Sequence, residues 1–318
     1  MTVADTTHEA ALVEEALAKL LGENPPASTD PKEFWGAQFD AGLAWVDFPV
    51  GSGGLGVSPS LREAVDRRLT EAGAPTWNRT ANILGIGMGA GVLAAHGTEA
   101  QRDKWLRPMF TMDEIWCQLF SEPDAGSDVA GLSTRAVRDG DEWIVTGQKV
   151  WTTLAHLARW GLVVTRTDPD QPKHRGMTYF VVDMEADGVD IRPLYQITGE
   201  AEFNEVFFDE ARIPDAHRID DVGAGWRVAM TTLMNERVAI GGRTVPRGDG
   251  AIGVAVESWN QSGSGEEGAR LELARLWAEV EAMRLTALRA TENMQAGVPG
   301  PEGSTSKLAW ADLNKEVT

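Results

Sequence analysis

The segment from Ser121 to Asp128, Ser-Glu-Pro-Asp-Ala-Gly-Ser-Asp, has the residue types best suited to holding a polar ligand. Pro123 restricts the backbone, and Gly126 permits a close approach of a ligand to the main chain. Backbone N–H groups and the hydroxyls of Ser121 and Ser127 can donate hydrogen bonds to a phosphate or a ring carbonyl. The same composition is common in purely structural turns, so the segment alone leaves both alternatives open.

Other kinds of catalytic or metal site are not indicated by the sequence. The histidines, at positions 8, 96, 156, 174 and 217, lack the spacing of metal ligands, and Cys117 is the single cysteine. No nucleophile-elbow motif is present, and no GxGxxG follows a predicted strand, so neither a serine hydrolase nor a nicotinamide cofactor is indicated. One cysteine cannot form an internal disulfide, which is typical of a reducing compartment, and we expect a cytoplasmic protein.

The charge and the apolar runs exclude two classes of partner. The 318 residues include 29 Lys plus Arg against 48 Asp plus Glu, a formal net charge of −19. This excess argues against general binding to nucleic acid or to anionic lipid, because both are polyanions. The longest uncharged apolar run, residues 83–95, has 13 residues with four glycines, whereas a bilayer span needs about 20 apolar residues. We therefore predict a buried helix there, with no membrane and no nucleic acid as partner.

The hydrophobic period divides the chain into three parts that must position the ligand-binding turn. Residues 1–115 have a helical period, residues 116–224 favour short strands separated by polar turns, and the helical period returns in 225–318. Because no helical pattern lies between the strands, an antiparallel sheet or barrel fits better than a Rossmann sheet. The predicted fold class is α+β, with an N-terminal helical domain, a central antiparallel β-barrel-like domain and a C-terminal helical bundle.

The individual elements follow from the same periods and from capping signals. Helices are predicted over 6–21, 34–45, 61–72, 82–96, 98–105, 226–240, 273–295 and from 304 onward, and strands over 132–137, 142–145, 162–167, 177–182, 189–194 and 203–208. Capping boxes are predicted at Thr6 with Glu9 and at Thr98 with Gln101. The last helix stops inside its apolar pattern without a glycine cap, so we expect an incomplete bundle in a truncated chain, with a frayed terminal helix as the alternative.

Two longer runs of sequence carry a family resemblance. The first is Leu-Phe-Ser-Glu-Pro-Asp-Ala-Gly-Ser-Asp-Val-Ala-Gly at 119–131, and the second is Asp-Glu-Trp-Ile-Val-Thr-Gly-Gln-Lys-Val-Trp-Thr-Thr at 141–153. At this separation they resemble the flavin-binding region of the acyl-CoA dehydrogenase family. The resemblance extends to 53–56 and 203–209 and covers essentially the whole chain. The helix–sheet–helix order that it implies agrees with the periods above.

The resemblance implies that FAD is the cofactor. Phe120 and Ser121 match positions whose backbone and hydroxyl bind the pyrimidine side of the flavin ring, and Ser127 matches a serine near the flavin phosphate and the pantetheine of the substrate. Trp151 matches an aromatic packed against the flavin, and Thr153 a threonine whose hydroxyl bonds the reactive flavin nitrogen. The residues implied to bind the cofactor are Leu119, Phe120, Ser121, Gly126, Ser127, Trp151 and Thr153.

Strand geometry supports the pairing of Trp151 with Thr153. A lone strand tryptophan is as often a core residue as a ligand contact. Side chains two residues apart point to the same face of a strand, so the two can meet one ligand together. Donors that hold the ring carbonyls would stabilise the negative charge of the reduced ring.

The resemblance also implies a glutamate base that removes the α-proton of an acyl-CoA while hydride leaves the β-carbon. Asn235-Glu236-Arg237 stands where some members carry that base, on the first helix after the sheet. A carboxylate among apolar side chains holds a proton more readily than one in water, which suits Glu236 as the base. Arg237 is implied to brace the site or the CoA. The alternative is a solvated Glu236 or an ion pair with Arg237.

The sequence departs from the family pattern near its end. No Arg-x-x-Phe-Gly element follows Gly242, where Arg243 and Arg247 stand, and two further C-terminal helices are missing. The pattern instead resembles actinobacterial-type members. The implied activity is FAD-dependent acyl-CoA dehydrogenation. Two alternatives stay open, a non-catalytic subunit or inactive fragment of a hetero-oligomeric acyl-CoA dehydrogenase, and a flavin acyl-CoA oxidase of the same fold.

The resemblance further implies the partners of the protein. These are an acyl-CoA substrate, electron-transfer flavoprotein as the electron acceptor, and further subunits in a homo- or heterotetramer. No metal is implied. The acyl group stays open among branched, long-chain and sterol side-chain CoA esters.

Overall fold

A computed structural model of the chain describes residues 3–241, 246–262, 267–295 and 302–317. The chain divides into two compact units, Met1–Leu233 and Met234–Thr318. The first unit contains two apolar cores and the second contains one. No helix in these described ranges is both long enough and apolar enough to cross a membrane.

The first unit begins with helices that surround a core of large aromatic side chains. Trp35, Trp105 and Phe110 are at most 2% exposed. The helices are α1 (Val3–Glu23), α2 (Pro31–Asp40), α3 (Arg62–Glu71), α4 (Asn78–Ala81), α5 (Ala90–His96), which follows a π-helical segment at Leu84–Gly89, and α6 (Glu99–Phe110). The predicted buried helix over 82–96 is therefore present in two pieces with different hydrogen-bond patterns.

The capping predictions have different outcomes. At the start of α6, Gln101 N donates to Thr98 Oγ1 at 3.2 Å and Thr98 N donates to Gln101 Oε1 at 2.9 Å, which confirms that capping box. The predicted box at Thr6 is wrong, because α1 already begins at Val3. The Glu9 carboxylate instead accepts a hydrogen bond from the backbone of Ser58 at 3.1 Å.

The second helix is shorter than predicted. It ends at Asp40, whereas the apolar pattern extends to residue 45. Gly42 has φ +73°, and Leu43 N donates to Gln38 O at 3.0 Å, which closes the helix end. Glycine adopts this left-handed conformation without a steric penalty, and a residue in that conformation ends the helix. The aromatic residues that follow the helix end lie in the next loop, and their side chains still pack in the core.

The central part of the first unit is one eight-stranded sheet. Its strands are β1 (Trp116–Leu119), β2 (Arg135–Asp139), β3 (Glu142–Thr153), β4 (Trp160–Arg166), β5 (Met177–Asp183), β6 (Val189–Leu194), β7 (Phe203–Pro214) and β8 (Arg218–Ile219). The strand order is β6-β7-β3-β2-β4-β5-β8, with β1 beside β4. Every predicted strand is present, and β1 and β8 are additional.

The pairing of the sheet is mainly antiparallel, as predicted, but not throughout. The pairs β2–β3, β3–β7, β4–β5 and β6–β7 are antiparallel. In contrast, β1 runs parallel to β4, and β2 meets β4 in parallel at Arg135 and Arg166. The sheet is therefore mixed, because β1 enters from the helices and cannot form a hairpin with β4.

Strands β4 and β5 are buried on both faces, which explains their continuous apolar sequences. Leu162 and Tyr179 belong to the core shared with the helices, whereas Val163 and Phe180 belong to the second core. Alternate residues of one strand thus reach two different cores. One face of β4 and β5 packs against the N-terminal helices. The other face packs against side chains from the remaining strands of the sheet.

A long helix, α7 (Gly225–Gly241), follows the sheet and passes from the first unit into the second. Among the residues of α7 whose burial is described, Val228, Ala229 and Thr232 have side chains that are fully buried. The helical period of the sequence predicts a buried side that includes Met230, Leu233 and Met234, but Met234 is 50% exposed. Thr232 defines the buried side, because its hydroxyl lies 3.0 Å from the Tyr179 hydroxyl on β5.

The second unit contains α8 (Ala251–Ser262), α9 (Glu267–Gln295) and α10 (Glu302–Val317). Ile252, Leu276 and Leu313, one from each of these helices, are its buried core residues. Helix α8 is additional to the predicted elements. A cavity of about 410 Å³ lies between α9 and α10. The sequence also predicts a glycine stop at Gly241 and Gly242, a loop over 262–268 and a Pro/Gly break over 297–303. Residues 242–245, 263–266 and 296–301 lie outside the described residues.

Gly54, in the loop of the resemblance at 53–56, provides a test of this packing. A Cβ at Gly54 would lie 2.1 Å from Phe48 O and 2.6 Å from Trp45 O, and backbone atoms cannot swing aside. We expect Gly54→Ala to lower the free energy of unfolding by about 1–3 kcal/mol, measured by urea denaturation. Gly22→Ala is the control, because its Cβ has no neighbour within 4 Å. Equal losses in the two variants would contradict the packing at Gly54.

Candidate active site

The ligand-binding turn predicted at 121–128 begins directly after β1 and is closed by its own backbone. Glu122 N donates to Ala125 O at 2.9 Å, and Ala125 N donates to Glu122 O at 3.1 Å. Gly126 and Ser127 are exposed beyond this closure. Space around Gly126 is open, because a Cβ there would have no neighbour within 4 Å. The turn is thus rigid at its base and accessible at its tip.

The residues before the turn are buried to different degrees. Leu119 is 0% exposed and lies in the second core. Phe120 is 4% exposed, and its ring stands edge-on to the ring of Tyr179, with 6.0 Å between the ring centroids. Their side chains are committed to packing, so these two residues can meet a ligand only through the backbone. Ser121 is half-buried and is the first residue of the run whose side chain reaches the accessible side.

A buried ion pair lies beneath the turn. Lys149, on β3, is 0% exposed, and its Nζ donates to Glu122 Oε1 at 2.8 Å. The same ammonium donates to Phe120 O at 3.2 Å and to Val164 O at 2.9 Å. Neither Lys149 nor Glu122 was among the predicted site residues, although both lie inside the two runs of the resemblance.

The carboxylate of this pair has further partners of its own. Glu122 Oε2 accepts hydrogen bonds from Ser133 N at 2.6 Å and from Ser133 Oγ at 2.8 Å, and Oε1 accepts from Thr134 N at 3.0 Å. Burial alone would raise the pKa of Glu122, but the Lys149 charge and these donors lower it to about 2. Burial lowers the pKa of Lys149 to about 8, against the opposing effect of Glu122, so both groups are charged at neutral pH.

One backbone hydrogen bond completes the junction of the two runs. Val150 N, next to Lys149 on β3, donates to Ser121 O at 2.9 Å. Residues 120–122 are therefore attached to residues 149–150 by both side-chain and main-chain bonds. The segments that the resemblance implied for one cofactor lie side by side in the structure.

Trp151 and Thr153 lie at the end of β3. Accessibility alternates there, with Trp151 at 57% exposure, Thr152 fully buried and Thr153 half-buried. The register with β7 is irregular between Lys149 and Thr152, and Trp151 has φ +60°. The indole stands edge-on to Phe203, with 5.8 Å between ring centroids. Such a bulge re-aims a side chain, and here it leaves a large aromatic face accessible.

A small polar cluster supports this bulge from behind. Asn204, on β7, is 0% exposed, and its Nδ2 donates to Thr152 O at 3.1 Å. The same amide nitrogen lies 3.1 Å from His156 Nδ1. A side-chain bond to a bulge carbonyl replaces the ladder bond that the bulge removes. Asn204 is thus a supporting residue that the sequence reasoning missed, because its partner is distant in sequence.

The tip of the turn also contacts the loop between β4 and β5. Lys173 Nζ lies 2.7 Å from Asp128 Oδ2 and 3.0 Å from Oδ1, and both side chains are mostly exposed. An exposed pair of this kind adds little stability. It places the Lys173 ammonium, paired with the Asp128 carboxylate, beside the residue that follows Ser127.

Glu236 and Arg237 lie on α7 within the second unit, whereas the residues on β1 and β3 belong to the first. Both side chains are half-buried. The Arg237 guanidinium contacts Met234 Sδ at 3.2 Å. The first half of α7 is anchored in its own unit, where His96 Nε2 lies 2.8 Å from Thr231 Oγ1 and His96 Nδ1 lies 3.0 Å from Asp220 Oδ2.

The donor set of the first unit fits a flavin better than a metal ion. Among the described residues, no group of three or more His, Cys, Asp and Glu is placed to hold a metal. The partly or fully exposed residues of the two runs include Ser121, Gly126, Trp151 and Thr153, which offer hydroxyl, backbone N–H and aromatic groups. Donors beside an exposed aromatic plate suit a planar ring that carries carbonyl and nitrogen acceptors.

Three domain families match consecutive parts of the chain. They are the acyl-CoA dehydrogenase N-terminal domain over residues 6–113, the middle domain over 117–211 and the C-terminal domain over 223–318. The acyl-CoA dehydrogenase IpdE1 of Mycobacterium tuberculosis is 38% identical over 278 residues, which are 87% of this chain and 71% of the relative. FadE34 of the same organism is 47% identical over 201 residues, or 63% of this chain and 28% of the relative.

Solved structures with the same architecture include a steroid acyl-CoA dehydrogenase and a protein complex. A steroid acyl-CoA dehydrogenase, Tcur3481-Tcur3483, is 27% identical with a TM-score of 0.71, covering 98% of this chain and 83% of the other. The ChsE4-ChsE5 complex from Mycobacterium tuberculosis is 26% identical with a TM-score of 0.70, covering 100% of this chain and 84% of the other. The chain is therefore an enzyme of the acyl-CoA dehydrogenase family, whose members are flavin-dependent oxidoreductases of lipid metabolism.

Proposed function

We propose that this chain binds FAD and oxidises an acyl-CoA thioester between its α and β carbons. The observation that carries the proposal is the junction of residues 120–122 with β3, beside the exposed face of Trp151. When bound, FAD would supply the acceptor for the hydride that leaves the β-carbon. The family membership supports the reaction class.

The residues proposed to hold the cofactor have distinct tasks. Ser121 would donate from its N–H and hydroxyl, and Thr153 from its hydroxyl. Trp151 would cover one side of the ring and exclude water. Ser127, at the exposed tip beside Lys173, would face the phosphate of the cofactor and the pantetheine of the substrate. Leu119 and Phe120 would contribute backbone, and Gly126 would leave the space that a side chain would otherwise fill.

The proposed catalytic base is Glu236. Its carboxylate would take the α-proton of the acyl-CoA and hold it during the reaction. Its position on the first helix after the sheet, directly before Arg237, supports this, because the family resemblance places the base of some members there. Arg237 is proposed to brace the site or the CoA through its positive charge.

The partners and organisation are part of the same proposal. We propose electron-transfer flavoprotein as the electron acceptor, a homo- or heterotetramer as the assembly and the cytoplasm as the location. One structural neighbour is described as the ChsE4-ChsE5 complex, which supports the heteromeric form. Domains at 1–115, 116–224 and 225–318 are proposed from the period changes, and the family matches fall close to these limits.

Flavin binding is tested on the purified chain by titration with FAD, followed by protein fluorescence. We expect Trp151→Ala combined with Thr153→Ala to raise the Kd for FAD at least tenfold, which is a loss of about 1.4 kcal/mol in binding free energy. The reason is that the flavin ring loses both the aromatic face of Trp151 and the hydroxyl donor of Thr153. Trp310→Ala is the control, since Trp310 is 49% exposed in the second unit. Absence of binding by the unsubstituted chain after reconstitution with excess FAD would refute the proposal.

The role of Glu236 is tested by anaerobic bleaching of bound flavin with acyl-CoA. We expect Glu236→Gln to bind FAD normally but to slow bleaching at least about a hundredfold, the lower range for a positioned general base. Glu257→Gln, on α8, is the matched control and is expected to bleach at the unsubstituted rate. A Glu236→Gln variant that bleaches at nearly that rate would place the base elsewhere.

The same assay separates the remaining alternatives. A panel of branched, long-chain and steroid side-chain CoA esters identifies the acyl class by the rate of bleaching. Bound flavin that none of them bleaches would identify a non-catalytic subunit. Rapid recovery of the flavin absorbance on admission of oxygen would identify an oxidase, and slow recovery a dehydrogenase.

A further inference from the structure

We propose that Lys149, paired with Glu122, is a positioning residue for the cofactor, and that it fixes the Phe120–Ser121 peptide so that the Ser121 N–H points to the ligand. This inference rests on the proposed binding of FAD. It assigns a task to an ion pair that lies buried beneath the predicted contacts. Neither side chain touches the cofactor in this scheme, because both act through the backbone.

All the donors and acceptors of the pair are already used within the protein. An ammonium has three N–H donors, and Lys149 Nζ has three acceptors, Glu122 Oε1, Phe120 O and Val164 O. Glu122 accepts from Lys149 and from the backbone or hydroxyl of Ser133 and Thr134. Nothing is left for a ligand or for proton transfer, so the pair is suited to holding a geometry.

Stability alone is a poor reason for such a pair. Removing two charges from water costs several kcal/mol for each ion, and apolar residues of similar volume are often equally stable. The side chains of Lys149 and Glu122 are 0% and 3% exposed, so the full cost applies. What apolar residues cannot supply is a directional donor to the carbonyl of Phe120.

That carbonyl determines where the next N–H points. The described backbone contains no cis peptide bond, and in a trans peptide the C=O and the following N–H point in opposite directions. Phe120 O faces Lys149 at 3.2 Å on the buried side, so the Ser121 N–H faces the accessible side. Val150 N, donating to Ser121 O at 2.9 Å, fixes the next peptide.

The Ser121 donors are unoccupied within the protein. Neither its N–H nor its hydroxyl has a hydrogen-bond partner in the part of the chain that the structure describes. A hydrogen bond from a cation to a carbonyl also polarises the peptide and strengthens its N–H as a donor. The buried charge of Lys149 therefore acts on the ligand through the Ser121 N–H, which it orients and makes a stronger hydrogen-bond donor.

The test compares the loss of the pair with a loss of stability elsewhere. The double variant Lys149→Met with Glu122→Gln removes both charges and nearly keeps the volume. We expect it to remain folded, with a Kd for FAD at least tenfold higher and a shifted visible spectrum of bound flavin. We also expect its flavin midpoint potential to fall, because the Ser121 N–H no longer stabilises the negative charge of the reduced ring.

Asn78→Ala is the control, because Asn78 is 1% exposed and its Nδ2 donates to Phe110 O at 2.9 Å among the N-terminal helices. It should lose stability while keeping the affinity, spectrum and potential of the unsubstituted protein. A double variant with unchanged affinity, spectrum and potential would overturn the inference and leave the proposed function intact. Failure of the unsubstituted chain to bind FAD would overturn both.

A measurement without substitution covers the case in which the double variant does not fold. Amide hydrogen exchange of the unsubstituted chain is followed at Ser121 with and without FAD. We expect fast exchange without FAD and at least a tenfold slowing at saturation. An unchanged exchange rate at Ser121, with FAD bound, would overturn the inference.

Discussion

A charged pair enclosed by the protein must satisfy every hydrogen-bonding position, and the pair of Lys149 and Glu122 does so with atoms from four separate segments. The ammonium contacts the end of β1 and the middle of β4, and the carboxylate holds the chain that leads into β2. An unpaired buried charge would cost several kcal/mol. The parallel placement of β1 beside β4 and the approach of the turn to β3 are therefore coupled through one polar centre.

The same centre explains how the accessible side of the sheet is organised. Beyond Lys149, β3 bulges, Trp151 takes a positive φ, and Asn204 binds the carbonyl of Thr152. The carbonyl of Thr152 in the irregular backbone is thus satisfied by a side chain behind the bulge. A preorganised ligand site requires a rigid backbone on the buried side and unused donors on the accessible side.

The packing of α7 on the sheet sets a second constraint. Helix α7 begins on the sheet, where Thr232 binds Tyr179, and continues into the unit that carries Glu236. Val228 and Ala229 are buried in the same core as Tyr179, although small apolar residues carry no chemical signal. The placement of the first half of α7 on the sheet thus depends on residues that no functional motif would identify.

The sequence by itself determined the order of helices, sheet and helices, the family and the two runs that meet in the structure, because these depend on local period and on contiguous motifs. Tertiary structure alone decided the parallel pairing of β1, the end of α2 and the buried side of α7. It also decided that Leu119 and Phe120 offer only their backbone, and that Lys149 bonds Phe120 O. Each of these depends on partners distant in the chain, and no periodicity records which distant groups a buried charge will meet.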